Sequence, residues 1–369
     1  MAGLLRQPID VQSLQAYLAL RVPQIVLPLE VRQFGFGQSN PTYQLTSVPT
    51  KRRYVLRKKP EGKLLSEAAH KVEREYRIIR ALGPTDVPVP QVYCLCQDES
   101  VIGTPFYVME YLDGRIFEDP AILEDVPAAE RTQLWKAAAQ TLAKLHRVDY
   151  VQAGLDGFGK SEGFYGRQLA TWTRICSAQE KAVDSDSGIA VGRIPHFGDL
   201  VGYFSGGTQP QDRATLVHGD YKIDNLVFHP TEPRVIGVLD WEMSTVGHPL
   251  SDLAGLLLPY HTAQLQTKYF RSDTFLSTPG LPTPQMVMQW YTDIAGWHPQ
   301  PDMDWALAFA AFRSAAICQG IAARVATRQA TSPQANNYAD AFRPFAEFAW
   351  DLVRHKEHGQ GTAATRVKL

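Results

Sequence analysis

The chain has 369 residues, long enough to bury a large core and to form two lobes rather than one domain. Hydrophobic residues make up 44% and the formal net charge is −1, the profile of an ordinary soluble globular protein with nothing that calls for nucleic acid or a membrane surface. No uninterrupted run of about 18 apolar residues occurs and no basic segment leads into an apolar one at the N-terminus, so neither a membrane span nor a signal peptide is expected.

In chain order, Ile9 to Val22 reads as an amphipathic helix with Leu14 and Leu18 on its apolar side, ended by Pro23 to Pro28. Val31 to Leu45 reads as two strands joined by a glycine-bearing loop. Gly35 and Gly37 would let the backbone approach a ligand, and Ser39 and Asn40 offer donors to phosphate oxygens. Alone, a tight hairpin with no ligand fits that loop better. Tyr54 to Arg57 is a third strand ending in a cation. Ser66 to Leu82 is a helix stopped by Gly83-Pro84. Leu65, Ala68, Val72, Tyr76, Ile79 and Leu82 share one face, and Glu75 lies inside it, whereas Glu73 points away. A carboxylate on an apolar face needs a partner, and Arg57 is the natural one.

Val92 to Leu95 leads to Pro105–Gly114, an apolar strand entering a polar turn. The backbone of Glu110 and Leu112 could pair with an adenine edge there, with Met109 as a soft wall. A core strand entering a turn fits nearly as well. The four cysteines include one C-x-C, Cys94-Leu-Cys96, and no second pair, which is too little for zinc. Reduced thiols in a cytoplasm are expected.

Before Asp113 the chain carries 14 Lys/Arg against 10 Asp/Glu; from Asp113 onward it carries 23 against 28. A basic first lobe (residues 1–112) suits a polyanion such as a nucleotide triphosphate, although a solvated face would look the same. The second lobe (113–369) reads as mainly helical. Its segments are Ala128 to His146, a stretch Leu155 to Ile175 whose Arg167, Trp172 and Arg174 near glycine-rich turns could meet an anionic acceptor or merely pack, a loop-rich insertion Ser177 to Gln211, a helix opened by His248-Pro249, and helices from Thr283, Asp304 and Ala335. Gly359 to Leu369 reads as a frayed tail.

The densest chemistry lies in LVHGDYKIDNLVFHPTEPRVIGVLD, Leu216 to Asp240. Leu226–Phe228 and Val235–Leu239 are strand-like, and the intervening His-Pro-Thr-Glu-Pro can only turn. An antiparallel hairpin closed there brings Asn225 and Asp240 together at its open end, with Asp220 on the loop just upstream. His-x-Asp-x-x-x-x-Asn followed by a strand-end Asp is the phosphoryl-transfer arrangement: Asp220 as base, Asn225 and Asp240 as ligands of Mg²⁺. His218 reads as structural. Lys222 stays open between a solvated lysine and a phosphate contact, and Asp252 reads as an anchor for the loop around His218 and Asp220.

These motifs together, HGDYKIDN with LDWE, FGFGQSNPTY, VLRKKP and VEREYRII, resemble the aminoglycoside/choline phosphotransferase family, which has a two-lobed, protein-kinase-like α+β fold. More narrowly, GQSNPTY, YVLRKKP, LDWEM and GHPLSDLA resemble the kinase-like domain fused to acyl-CoA dehydrogenases in animals and free-standing in bacteria. The resemblance spans about Ile25 to Trp350. It implies ATP and Mg²⁺ as cofactors and places the base at Asp220 and the metal ligands at Asn225 and Asp240. It places the phosphate cation at Arg57 with Glu75, the phosphate loop at Gly37, Ser39 and Asn40, and the hinge at Glu110 to Leu112. Arg57 stands where Lys is usual, and Trp241-Glu242 replaces Phe-Gly. The acceptor it implies is a small hydroxylated metabolite, with hydroxyacyl-CoA thioesters among the candidates. The carboxylates between Trp241 and Gln300 (Glu242, Asp252, Asp273 and Asp293) are few for a polycationic aminoglycoside. A nucleotide-binding module without turnover and a metal-dependent hydrolase are the alternatives.

Overall fold

A computed structural model describes residues 2–3, 7–35, 40–60, 71–122, 126–207, 209–265, 267, 270, 272–330 and 335–357. The chain divides into two compact units. The first comprises residues 1–116, 148–156 and 225–244, and the second 117–147, 157–224 and 245–369.

The first unit opens with a two-residue edge strand β1 (Ala2–Gly3) and helix α1 (Val11–Arg21). Asp10 caps α1 by accepting from the Ser13 N–H at 2.9 Å, and Leu14 and Leu18 are its buried residues. Strands β2 (Leu29–Phe34), β3 (Thr42–Ser47) and β4 (Arg53–Lys58) follow, then helix α2 (Val72–Leu82), β5 (Val92–Cys96) and β6 (Phe106–Glu110). The sheet is antiparallel throughout, in the order β1-β2-β3-β4-β6-β5. Tyr43, Leu45, Tyr54, Leu56, Phe106 and Val108 form its core with Leu14 and Leu18. On α2, Val72, Glu75, Ile78, Ile79 and Leu82 are buried, which bears out Val72, Glu75, Ile79 and Leu82 of the expected face, leaves Tyr76 half-buried and adds Ile78. The earlier part of that expected helix (Leu65, Ser66 and Ala68) and the tail Gly359–Leu369 lie outside the described residues.

The second unit carries α3 (Ala128–Arg147), α4 (Phe164–Gln179), α5 (Phe197–Ser205) and strand β7 (Thr215–Val217). The expected loop-rich insertion therefore contains a helix. Gly198 and Gly202 mask its signal, yet Phe197, Leu200 and Phe204 are buried in the unit's main core. The hairpin strands β8 (Leu226–Phe228) and β9 (Val235–Val238) return to the first unit. Back in the second unit, β10 (Thr245–Gly247) pairs antiparallel with β7. Helices α6 (Leu250–Leu257), α7 (Pro259–Thr262), α8 (Pro284–Ala295), α9 (Gln300–Ala326), α10 (Ala335–Ala339) and α11 (Phe342–Glu357) complete it. Thr283 caps α8, as its Thr-Pro start implies. The single helix expected from Ala335 is broken into α10 and α11.

Helix α9 is long and apolar enough by composition to cross a membrane. Its Trp305, Phe309, Phe312 and Ala315 instead pack into the aromatic core with Tyr165, Phe204 and Phe345. All four cysteines are free and buried.

Candidate active site

The hairpin forms as its turn residues require. Leu226 faces Val238, and the Leu239 N–H donates to the Asn225 carbonyl at 2.9 Å, so Asn225 and Asp240 flank the open end of one ladder. Asp240 follows the strand at φ +63°, a left-handed conformation that Asp tolerates better than most residues. That bend leads directly into a single 3₁₀ turn, Trp241–Met243, with Trp241 buried.

Arg57, at the end of β4, gathers the acids of the first unit. Its Nε lies 3.3 Å from Glu75 Oε2, and its Nη2 donates to Asp240 Oδ1 at 2.8 Å and reaches Glu242 Oε2 at 3.4 Å. Asn40 Nδ2 donates to Glu75 Oε1 at 2.9 Å, and the Tyr107 hydroxyl donates to Glu75 Oε2 at 3.1 Å. Burial pushes the Glu75 carboxyl up to about 7; Arg57 opposes this, while Asp240 and Glu242 add to it. Burial alone would lower the Arg57 pKa, but Glu75 and Asp240 outweigh it, so the guanidinium stays charged. Glu73, which the helical spacing points away from that face, pairs with Lys59 at 2.6 Å. Glu242, which stands in place of a kinase Gly, carries no binding signal in the sequence until Arg57 is seen beside it.

Asn40 Oδ1 is a buried acceptor with no hydrogen-bond partner among the described residues. Gly37 and Ser39 lie outside the described residues. Met109 is buried in β6 opposite Val55. The Glu110 N–H donates to Gln91 O at 2.7 Å, and the Glu110 carboxylate accepts from the Gln91 N–H. Leu112 packs beneath the hairpin, since a Cβ at Gly237 would lie 2.0 Å from Leu112 Cδ1. No cluster of three or more His, Cys, Asp or Glu side chains forms a metal cage among the described residues. The oxygen donors of Asp240 and Asn225 instead suit a hard cation whose remaining ligands are phosphate oxygens and water, so the residues present fit Mg²⁺.

In the second unit, the loop after β7 is held from beneath. Asp252, on α6, accepts from the His218 N–H at 2.6 Å and the Gly219 N–H at 2.8 Å, and lies 3.3 Å from His146 Nε2. Burial alone would raise its pKa; the hydrogen bonds and the histidines outweigh it, so the carboxyl sits below its ordinary value. His146 Nδ1 bonds the Tyr291 hydroxyl at 2.7 Å. His218 is fully buried and accepts from the Asp220 N–H, as the structural reading expects. Asp220 itself points outward, its side chain 45% exposed, with Lys222 Nζ 3.5 Å away. Lys222 also pairs with Asp224 at 3.2 Å. Burial works against the lysine's charge, and the two carboxylates overcome it and raise its pKa.

His248, ahead of α6, is buried with fixed roles for both ring nitrogens. Its Nδ1 accepts from the Leu250 N–H and its Nε2 bonds the Gln211 carbonyl at 3.2 Å. Burial lowers its pKa to about 4. Between pH 4 and 6.5 the unfolded chain therefore binds a proton that the folded chain refuses, so its contribution to stability rises with pH across that window. Glu75, held up to about 7, works the opposite way over much of that window, so the His248 contribution, on the order of 2 kcal/mol, is read as the difference in urea-unfolding free energy between wild type and His248→Gln at the two ends of the window. An unchanged slope in the variant would refute the assignment.

The comparisons with known proteins show the family and the fold. Residues 30–275 match the family model described as APH, phosphotransferase enzyme family. Mouse acyl-CoA dehydrogenase family member 10 is 41% identical over 328 residues, covering 88% of this chain and 29% of that protein. The chain spans 29% to 44% of the length of such curated relatives. A Ralstonia eutropha crystal structure, of a protein provisionally described as an aminoglycoside phosphotransferase, superposes with a TM-score of 0.80 at 38% identity, covering 94% of this chain and 99% of that one. Plasmodium vivax ethanolamine kinase shares the fold at 14% identity, with a TM-score of 0.60 and coverage of 90% and 86%. With its kinase-like small sheet and helical remainder, this chain belongs to the APH family of phosphotransferase enzymes.

Proposed function

We propose that this chain transfers the γ-phosphoryl group of ATP to the hydroxyl of a small metabolite. The observation that carries the reading is Arg57 bound at once to the helix acid Glu75 and the strand-end acid Asp240. The ion pair with the helix acid is the one that orients a phosphate-holding cation in this reaction class, and the contact with Asp240 sets that cation beside a proposed metal ligand. The lobe of residues 1–112 would hold the nucleotide, with Glu110 to Leu112 and Met109 against the base. Gly37, Ser39 and Asn40 would cover the phosphates. Arg57, a permanently charged fork, would bind them while Glu75 keeps its orientation.

Asn225 and Asp240 would hold Mg²⁺. When bound, the ion neutralises phosphate charge. Asp220 accepts the proton of the acceptor hydroxyl as its oxygen bonds to the γ-phosphorus and the bond to ADP breaks. Lys222, paired with both, offsets the repulsion between the Asp220 and Asp224 carboxylates. Little covalent work falls to the protein, and most of the acceleration comes from alignment and electrostatics.

A hydroxyacyl-CoA is our candidate acceptor, supported by the names of the relatives and by the scarcity of carboxylates from Trp241 to Gln300. The test is product formation from ATP with a panel of hydroxylated substrates that includes hydroxyacyl-CoA thioesters. Chelation should abolish transfer and added Mg²⁺ restore it. A protein that binds nucleotide and phosphorylates nothing on the panel would sink the reading.

A further inference from the structure

Arg313 sits in the middle of α9, among the alanines and phenylalanines that build the second unit's core. Its Nη2 donates to the Gly219 carbonyl at 2.7 Å, which is its sole hydrogen bond among the described residues; no carboxylate there pairs with it. The acids around the same loop are engaged elsewhere. Asp252 holds the His218 and Gly219 N–H groups and faces His146, while Asp220 and Asp224 share Lys222. A half-buried guanidinium without a counter-ion is costly, and a neutral amide would hold one carbonyl equally well. What the charge adds is a fork of remaining N–H groups matched to a carboxylate or phosphate. Gly219 immediately precedes Asp220, so the fork stands one residue from the proposed base.

We propose that Arg313 is a specificity-determining residue, binding an anionic oxygen group carried by the acceptor alcohol. The inference rests on the phosphotransferase reading above and narrows its substrate class to hydroxylated anions, with carboxylate and phosphate as the two sources of the charge.

Binding to the full chain, measured by titration calorimetry without nucleotide, tests it directly. The probes are β-hydroxybutyrate against butanediol and α-glycerophosphate against glycerol. At least one anion should bind about tenfold or more tightly than its neutral counterpart, as expected for a charge-assisted pair. Whichever pair shows the preference identifies the anion. Arg313→Gln, which keeps a donor for Gly219, should erase the preference. Equal binding of anion and neutral alcohol by the wild type, or a preference that survives in the variant, would overturn the assignment. So would a variant whose affinity for all four probes falls alike, since that marks a strut. A turnover assay separates the two claims. Arg313-dependent anion binding without phosphoryl transfer defeats the function and leaves this site standing. Transfer to neutral alcohols as efficient as to anions defeats the site and leaves the function standing.

Discussion

Replacing Asp220 with asparagine should lower kcat by roughly 10²–10⁴-fold while nucleotide affinity stays close to wild type. Asparagine preserves the side-chain volume, and the backbone of the loop has holds of its own. The Asp220 N–H is tied to His218, while Gly219 is held by Asp252 through its N–H and by Arg313 through its carbonyl. What the substitution removes is the proton acceptor and the charge beside Lys222. Single-turnover rates and nucleotide binding, measured on the same variant, separate those effects. Full activity in Asp220→Asn would remove the residue from the chemistry.

Asp252→Ala should be the most damaging change to the second unit. It deletes the acceptor of two backbone N–H groups, that of buried His218 and that of half-buried Gly219, and the partner of buried His146. Breaking such a buried set costs about 3–5 kcal/mol, because the groups left behind can no longer reach water. Because its folded pKa is depressed, the stability Asp252 contributes is present above the ordinary carboxylate range and fades as the solution is acidified through it. A urea midpoint for Asp252→Ala close to wild type would contradict this account. Asp252→Asn retains one acceptor oxygen, so it should unfold later than the alanine variant and still turn over slowly. Its amide cannot serve both N–H groups and His146 together.

Legibility in the sequence followed the range of the interaction. The hairpin was readable because Pro230 and Pro233 cannot continue a strand, and Glu75 was readable because a lone acid interrupted an apolar face. Asp252 was readable from its place at a helix start. The pairing of Thr215–Val217 with Thr245–Gly247 was not, since three-residue strands about thirty positions apart leave no periodic signal. Helix Phe197–Ser205 escaped notice because glycines dilute it, and only tertiary packing around Phe204 sustains it. Glu242 and Arg313 are isolated charges whose meaning depends entirely on neighbours distant in the chain.

The left-handed turn at Asp240 restricts what evolution or an experimenter can place there. Glycine and asparagine accept that backbone at little cost, whereas valine, isoleucine or threonine would resist it and drag Trp241 out of register. An alanine at 240 would confuse a lost ligand with a distorted bend. Asparagine is therefore the clean probe of the negative charge, and a library randomised at this codon should return survivors confined to a handful of small polar types.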